Sequence, residues 1–260
     1  MCIRDSSGCI PVVCLERIYR QSRGSRIVTN AKLIRNGNLS LEYGEDFQFY
    51  ESSDLERSAK LLEKLYLQEL DEFGVDNVAL LTPFRQKTAT CVNSLNDRLR
   101  DKVNPPGEGK PEASHGKRRF RLGDKVMQLK NYEQVSNGDV GYVIGIGSDG
   151  VDAILTIDFG DGRLMEYSGD ELDMLTLAYA STIHKSQGSE YKSVIINLQC
   201  AHSVMLVRPL IYTAVTRAKE RVIIVGERRA LCIAISREET LRRGTMLAGR
   251  IRELQEEKER

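Results

Sequence analysis

Thr182-Ile183-His184-Lys185-Ser186-Gln187-Gly188-Ser189-Glu190 is followed, after one apolar run, by Tyr212-Thr213-Ala214-Val215-Thr216-Arg217-Ala218-Lys219-Glu220, and the fold turns on these two stretches. The first gathers hydroxyl, imidazole, ammonium, amide and carboxylate groups around one glycine. Before it, 175–180 is β-rich and apolar, and after it Val194-Ile195-Ile196-Asn197 has the composition of a buried strand. A strand ending in a glycine-containing turn offers backbone N–H groups to an anion. His184, Lys185 and the hydroxyls of Thr182 and Ser186 add donors there, whereas Glu190 repels phosphate and suits a ribose hydroxyl. Arg217 is expected on a helix over 208–216 whose other residues, Tyr212, Ala214, Val215 and Ala218, are apolar or small. A guanidinium held there presents planar donors to a γ-phosphate. The plainer alternatives are a serine-capped polar loop and a surface ion pair.

Working outward, the pattern is strand, helix, strand, helix. Ile10-Pro11-Val12-Val13-Cys14-Leu15 fits a short buried strand, and Ile27, Val28, Ala31 and Ile34 recur at helical spacing up to Asn36-Gly37, a helix stop. Ser53-Asp54 opens an amphipathic helix to about Glu72. Val78-Ala79-Leu80-Leu81-Thr82 is a buried strand, and 86–99 is expected to be the helix after it. From 102 to 119, Pro105-Pro106-Gly107, Gly109, Pro111 and Gly116 mark a loop or boundary. Beyond it, short β patterns at 125–129, 141–146, 153–159 and 164–167 are joined by Asn137-Gly138, Ser148-Asp149-Gly150 and Gly160-Asp161-Gly162, which suggests a small barrel inserted in an α/β domain. The α/β pattern resumes at 175 and ends with the strand Val222-Ile223-Ile224-Val225, and the charged tail 237–260 is expected to dock as an amphipathic helix.

Length and composition bound what this arrangement can do. A chain of 260 residues accommodates one full core and a small module. With 38 Lys and Arg against 37 Asp and Glu the formal charge is +1, so a nucleic-acid surface has to be local. Thr82, Pro83 and Arg85 lie where the strand 78–82 ends, the usual ligand edge of an open α/β sheet; Phe84 either stacks on a base or packs. Lys117-Arg118-Arg119 with Arg121 forms a basic run. Cys2, Cys9, Cys14, Cys91, Cys200 and Cys232 include no CxxC pair and no zinc spacing, which fits reduced thiols in a cytoplasmic protein. No apolar run approaches the ~20 residues that span a bilayer.

Together these segments resemble the second half of superfamily 1 helicases, in the RecD-like and conjugative TraA-type branch. Tyr19-Arg20-Gln21-Ser22 with 25–31 resembles motif IV, Leu80-Leu81-Thr82-Pro83 with Leu95-Asn96 the motif that follows, 120–128 and Asn137-Gly138-Asp139-Val140-Gly141 the SH3-like insert, and 178–190 and 212–220 motifs V and VI. The resemblance implies a RecA-like parallel-sheet domain of the P-loop NTPase type with an SH3-like β barrel inserted at 118–173, between motor segments 9–117 and 174–260. It implies Arg20 and Arg217 as arginine fingers and Tyr19, Gln187, Gly188 and Glu190 facing ATP. Single-stranded DNA would be held by Thr82, Pro83, Arg85, Thr182, His184, Lys185 and Ser186, with 5′ to 3′ movement. No GxxxxGK[ST] occurs in the chain. ATP with Mg²⁺ would then be cradled by a first RecA-like domain upstream. Met1-Cys2-Ile3-Arg4-Asp5-Ser6 resembles the translation of a transposon-end adapter, so 1–8 is expected to be a non-native leader. Two other readings stay open: a stand-alone single-stranded nucleic-acid binding module, and the helicase segment of a conjugative relaxase.

Overall fold

The computed structural model describes residues 24–86, 88–148, 150–238, 249–251 and 253–254. The expected leader, the strand at 10–15, Tyr19, Arg20 and most of the tail helix lie outside the described residues.

The sheet that organises the molecule is parallel and built from short, apolar strands. Its members are β1 (Phe47–Glu51), β2 (Val78–Thr82), β10 (Ala180–Thr182), β11 (Tyr191–Leu198) and β12 (Ala218–Gly226), in the order β1-β12-β11-β2-β10. Successive side chains of a strand point to opposite faces, so two cores form. Leu80, Ile195 and Ile223 face the helices α2 (Leu55–Phe73) and α3 (Val92–Val103), while Leu81, Val194, Ile196, Val222 and Ile224 face α1 (Arg26–Arg35), α4 (Arg208–Val215) and α5 (Arg228–Ser236). Burial on both faces is why β2, β11 and β12 are nearly continuous apolar runs. Local chemistry sets the helix ends: the Ser25 side chain accepts from the Ile27 N–H, the Asp54 side chain accepts from the Arg57 N–H, and Gly37 at φ 72° follows α1.

Against the α2/α3 side lies an antiparallel layer. It consists of β5 (Lys125–Gln128), β6 (Val140–Ser148), β7 (Ala153–Asp158), β8 (Leu164–Ser168) and β9 (Leu175–Leu177) in the order β8-β7-β6-β5-β9, beside a hairpin of β3 (Glu112–His115) and β4 (Arg118–Arg121). Its interior, including Val126, Val143, Leu155, Ile157 and Leu175, is continuous with Leu62, Leu95 and Leu99 of the helices. In it β4 pairs with β3, and β9 pairs with β5.

Some expectations are corrected. The segment 175–180 is not one strand: β9 pairs antiparallel with β5, β10 pairs parallel with β2, and only Ala178 and Tyr179 separate them. Helix α3 starts at Val92 rather than Gln86, since the loop carbonyls of Phe84 and Arg85 accept from the Val92 and Asn93 N–H groups and so serve the first turn. The stretch 102–119 is a helix end and a hairpin as well as a loop. Edge strand β1 was not anticipated, because Phe-Gln-Phe-Tyr-Glu mixes polar and aromatic residues without a buried run.

The two-residue junction is held from α3. Asn96, 2 % exposed, donates from Nδ2 to the carbonyls of Leu177 (2.9 Å) and Ala180 (3.0 Å), and its Oδ1 accepts from the Ala180 N–H (2.7 Å). The Tyr179 hydroxyl donates to Asp124 Oδ1 at 3.0 Å, and Asn104 Nδ2 donates to the same oxygen at 2.7 Å. Burial raises the Asp124 carboxyl pKa even against these donors. Asn96→Ala leaves buried backbone groups of 177 and 180 unpaired, and a loss of about 2 kcal/mol in a urea titration is expected; an unchanged midpoint would show that water replaces the carboxamide.

Candidate functional site

Strands β2 and β10 end side by side, with Thr82 opposite Thr182, so the loops 83–91 and 183–190 leave the same edge of the sheet together. Loop 83–91 is cinched from beneath. Thr82 Oγ1 donates to the Thr90 carbonyl at 3.0 Å, and Asn197 Nδ2 donates to both Thr82 Oγ1 and the Thr90 carbonyl at 3.1 Å. Thr82 is wholly buried, and its hydroxyl is bonded within this loop. Pro83 is buried too, Phe84 stands edge-on to His202 with ring centroids 5.1 Å apart, and Arg85 is exposed.

Loop 183–190 begins as a helical turn. The Lys185 and Ser186 N–H groups donate to the Thr182 carbonyl at 3.0 and 3.3 Å, and Ile183 is fully buried as its anchor. Ser186 is 1 % exposed and its hydroxyl donates to the Ile183 carbonyl at 2.7 Å. That bond closes the turn. His184 is exposed and Lys185 half-buried. Burial, and after it the charge of Arg85, lower the Lys185 pKa, so two cations face one another at this corner. Gly188 sits at φ 91° with no heavy atom near the place a Cβ would occupy, so the backbone angle, and not space, requires glycine there.

The loop then crosses to the amino end of β11, and there it meets Arg217. Arg217 is not on a helix but in the turn between α4, capped by Thr216, and β12. Its Nε donates to the Thr213 carbonyl (3.2 Å) and its Nη1 to the Ser189 carbonyl (3.1 Å), while its own carbonyl accepts from the Tyr191 N–H (2.9 Å). Glu190 pairs with Lys219 at 2.9 Å, and Gln187 and Gly188 are exposed beside them. The expected residues thus form two groups joined by one loop: Arg85, Thr182, His184 and Lys185 at one end, and Gln187, Gly188, Glu190 and Arg217 at the other.

Two participants escaped the sequence reading. Asn197 was taken only as the end of an apolar strand, although an amide closing such a run is itself a signal of a buried polar contact. His202 is wholly buried, and neither ring nitrogen has a hydrogen-bond partner among the described residues; burial lowers its pKa to about 4.

Two segments of the chain match known protein families. Residues 177–225 match the UvrD-like helicase C-terminal domain, and residues 95–159 match the ATP-dependent RecD-like DNA helicase SH3 domain. The chain is 36 % identical over 244 residues to the ATP-dependent RecD2 DNA helicase of Deinococcus radiodurans, covering 93 % of this chain and 32 % of that protein. It is 33 % identical over 136 residues to the conjugal transfer protein TraA of Rhizobium radiobacter, covering 50 % of this chain and 12 % of that one. The Bacteroides Pif1 helicase in complex with ADP-AlF3 and ssDNA superposes with a TM-score of 0.50 at 18 % identity, over 81 % of this chain and 51 % of that chain, a likeness of fold. The fold and the matched segments are those of helicase motor domains. Within that likeness, one matched segment is that of a RecD-like SH3 domain and the other that of a UvrD-like C-terminal domain. The chain spans about a third of the length of RecD2 (32 %).

Proposed function

We propose that the chain is the second RecA-like domain of a cytoplasmic RecD-like helicase that moves 5′ to 3′ on single-stranded DNA, interrupted by an insert centred on 118–173. The observation that carries this reading is the double attachment of loop 183–190. Its first residues stand with Arg85 as a corner of cations suited to backbone phosphate, and its last residues are bonded to Arg217, a guanidinium suited to a γ-phosphate. A shift at either end is felt at the other. A stand-alone binding module would use the first group and have no use for the second.

ATP would lie against Gln187, Gly188, Glu190 and Arg217, with Tyr19 and Arg20 supplying the stacking and second-finger roles their motif implies. The guanidinium and the open glycine fit the phosphate end of a nucleotide. Mg²⁺ needs only one or two protein ligands beside the phosphates, and these are assigned to a preceding RecA-like domain, as the resemblance implies. Bound Mg²⁺ neutralises charge on the β- and γ-phosphates. No helix among the described residues is long and apolar enough to cross a membrane.

Two measurements on the chain by itself test the proposal. It should bind a fluorescent oligo(dT) with affinity that falls as salt rises, and it should release no phosphate from ATP and Mg²⁺ above background in the presence of that oligonucleotide. Turnover at helicase rates would overturn the assignment of the cradle elsewhere, and salt-independent binding would overturn the phosphate corner.

A further inference from the structure

The proposed nucleic-acid corner is bordered by a piece of the insert. Lys185 Nζ donates to Asn137 Oδ1, so a side chain of loop 183–190 is bonded across to the SH3-like layer. The residue that accepts is itself carefully held. Ser136 to Asp139 form a tight turn, with the Asp139 N–H donating to the Ser136 carbonyl at 3.0 Å and Gly138 at φ 103° in the position where a turn favours glycine. The Asn137 N–H donates to Asn131 Oδ1 at 2.8 Å and the Ser136 N–H to Asp139 Oδ2 at 3.1 Å. Asp139 is in turn fixed by Arg163 Nη1 at 2.6 Å. Gly138 and Asp139 of the insert and Ser181 and Ser189 of the motor line a cleft of about 310 Å³ between the two layers.

An exposed lysine ordinarily samples many rotamers, and ordering it on binding has a cost. Here a neutral amide oxygen takes one of the three ammonium donors and leaves two, together with the full charge, for a ligand. An acceptor that fixes a cation without neutralising it prepares that cation for an anion. We propose that Asn137 is a positioning residue for nucleic-acid binding: from the insert it pre-places the Lys185 ammonium to meet a backbone phosphate of a single strand, so the insert and loop 183–190 form one binding surface. This inference rests on the nucleic-acid role proposed above for Lys185.

The test is a double-mutant cycle on the full chain with fluorescein-labelled oligo(dT), read by anisotropy at several salt concentrations. Asn137→Ala should weaken binding about three- to ten-fold through the lost ordering of one long side chain. In a Lys185→Ala background the same change should do nothing. Asn137→Asp keeps an acceptor but cancels the charge, so it should weaken binding and flatten the plot of log K against log salt by about 0.7, one phosphate contact's worth. Asn137→Ala should leave that slope closer to wild type, a distinction a merely structural role would not produce. Asn137 is exposed in a turn, so both variants are expected to melt with the wild type. Equal losses from Asn137→Ala with and without Lys185, or wild-type affinity in Asn137→Ala, would overturn the proposal while leaving the phosphate corner standing. If the unmodified chain fails to bind oligo(dT) at low salt, the functional reading falls and this inference with it.

Discussion

Arg217→Ala, measured with a first RecA-like domain completing the ATP site, should lower DNA-stimulated ATP hydrolysis by about 10³-fold or more, the range over which trans-acting arginine fingers operate. The guanidinium donates to the carbonyls of Thr213 and Ser189, backbone acceptors that a γ-phosphate can displace. Arg217→Lys should recover little, since an ammonium cannot present two parallel donors. Binding of single-stranded DNA should change by less than about three-fold, because the cation corner lies at the other end of the loop. A variant with normal kcat would show that Arg217 is a loop fastener and no more. So would a variant whose activity falls only in step with its melting temperature, since the Ser189 contact is lost in the same substitution.

The second large effect is on stability in acid. His202 has an ordinary pKa of 6.5 in the unfolded chain and about 4 when folded, because burial disfavours the imidazolium; the nearby charge of Glu227 works the other way and is the smaller influence. The unfolded state therefore binds the proton first. Stability from this group is complete above pH 6.5, falls as the pH drops through the interval to 4, and is lost by at most about 3 kcal/mol across it. Carboxylates titrate in the same range, so the informative quantity is the difference between wild type and His202→Leu in chemical denaturation at successive pH values. Leu removes two unpartnered buried nitrogens and should be at least as stable as His at pH 7.5. The two profiles should then diverge as the pH falls toward 4. Parallel profiles would mean that water reaches the ring.

What was legible in the sequence was whatever local chemistry decides. Ser25 and Asp54 fix helix starts through their own side-chain oxygens, and β2, β11 and β12 declare themselves as apolar runs because both faces of a parallel sheet are buried. What was not legible depends on partners distant in sequence. The start of α3 is set by carbonyls of the loop before it, and the division of 175–180 between two sheets by an asparagine far upstream. At the site, composition does not say where each polar group is spent. Threonine and serine hydroxyls in a polar motif look like ligand donors, yet Thr82 and Ser186 spend theirs on the carbonyls of Thr90 and Ile183. Arg217 falls in a turn because α4 ends at Val215, one residue short of the Thr216 cap.

The junction between β9 and β10 has a further consequence, seen most clearly by asking how the chain tolerates a change of length. Most boundaries between an inserted module and its host absorb an extra residue in a slack linker. Here Ala178 and Tyr179 are all that separates a strand of one sheet from a strand of the other, and Asn96 is bonded to both flanks. Because side chains alternate along a strand, one residue added at this point either breaks the Asn96 bonds or turns Ser181 and Thr182 inside out. The joint has the form of a spline rather than a slack linker: two residues and the Asn96 bonds fix rotational phase as well as distance between the insert and the start of loop 183–190.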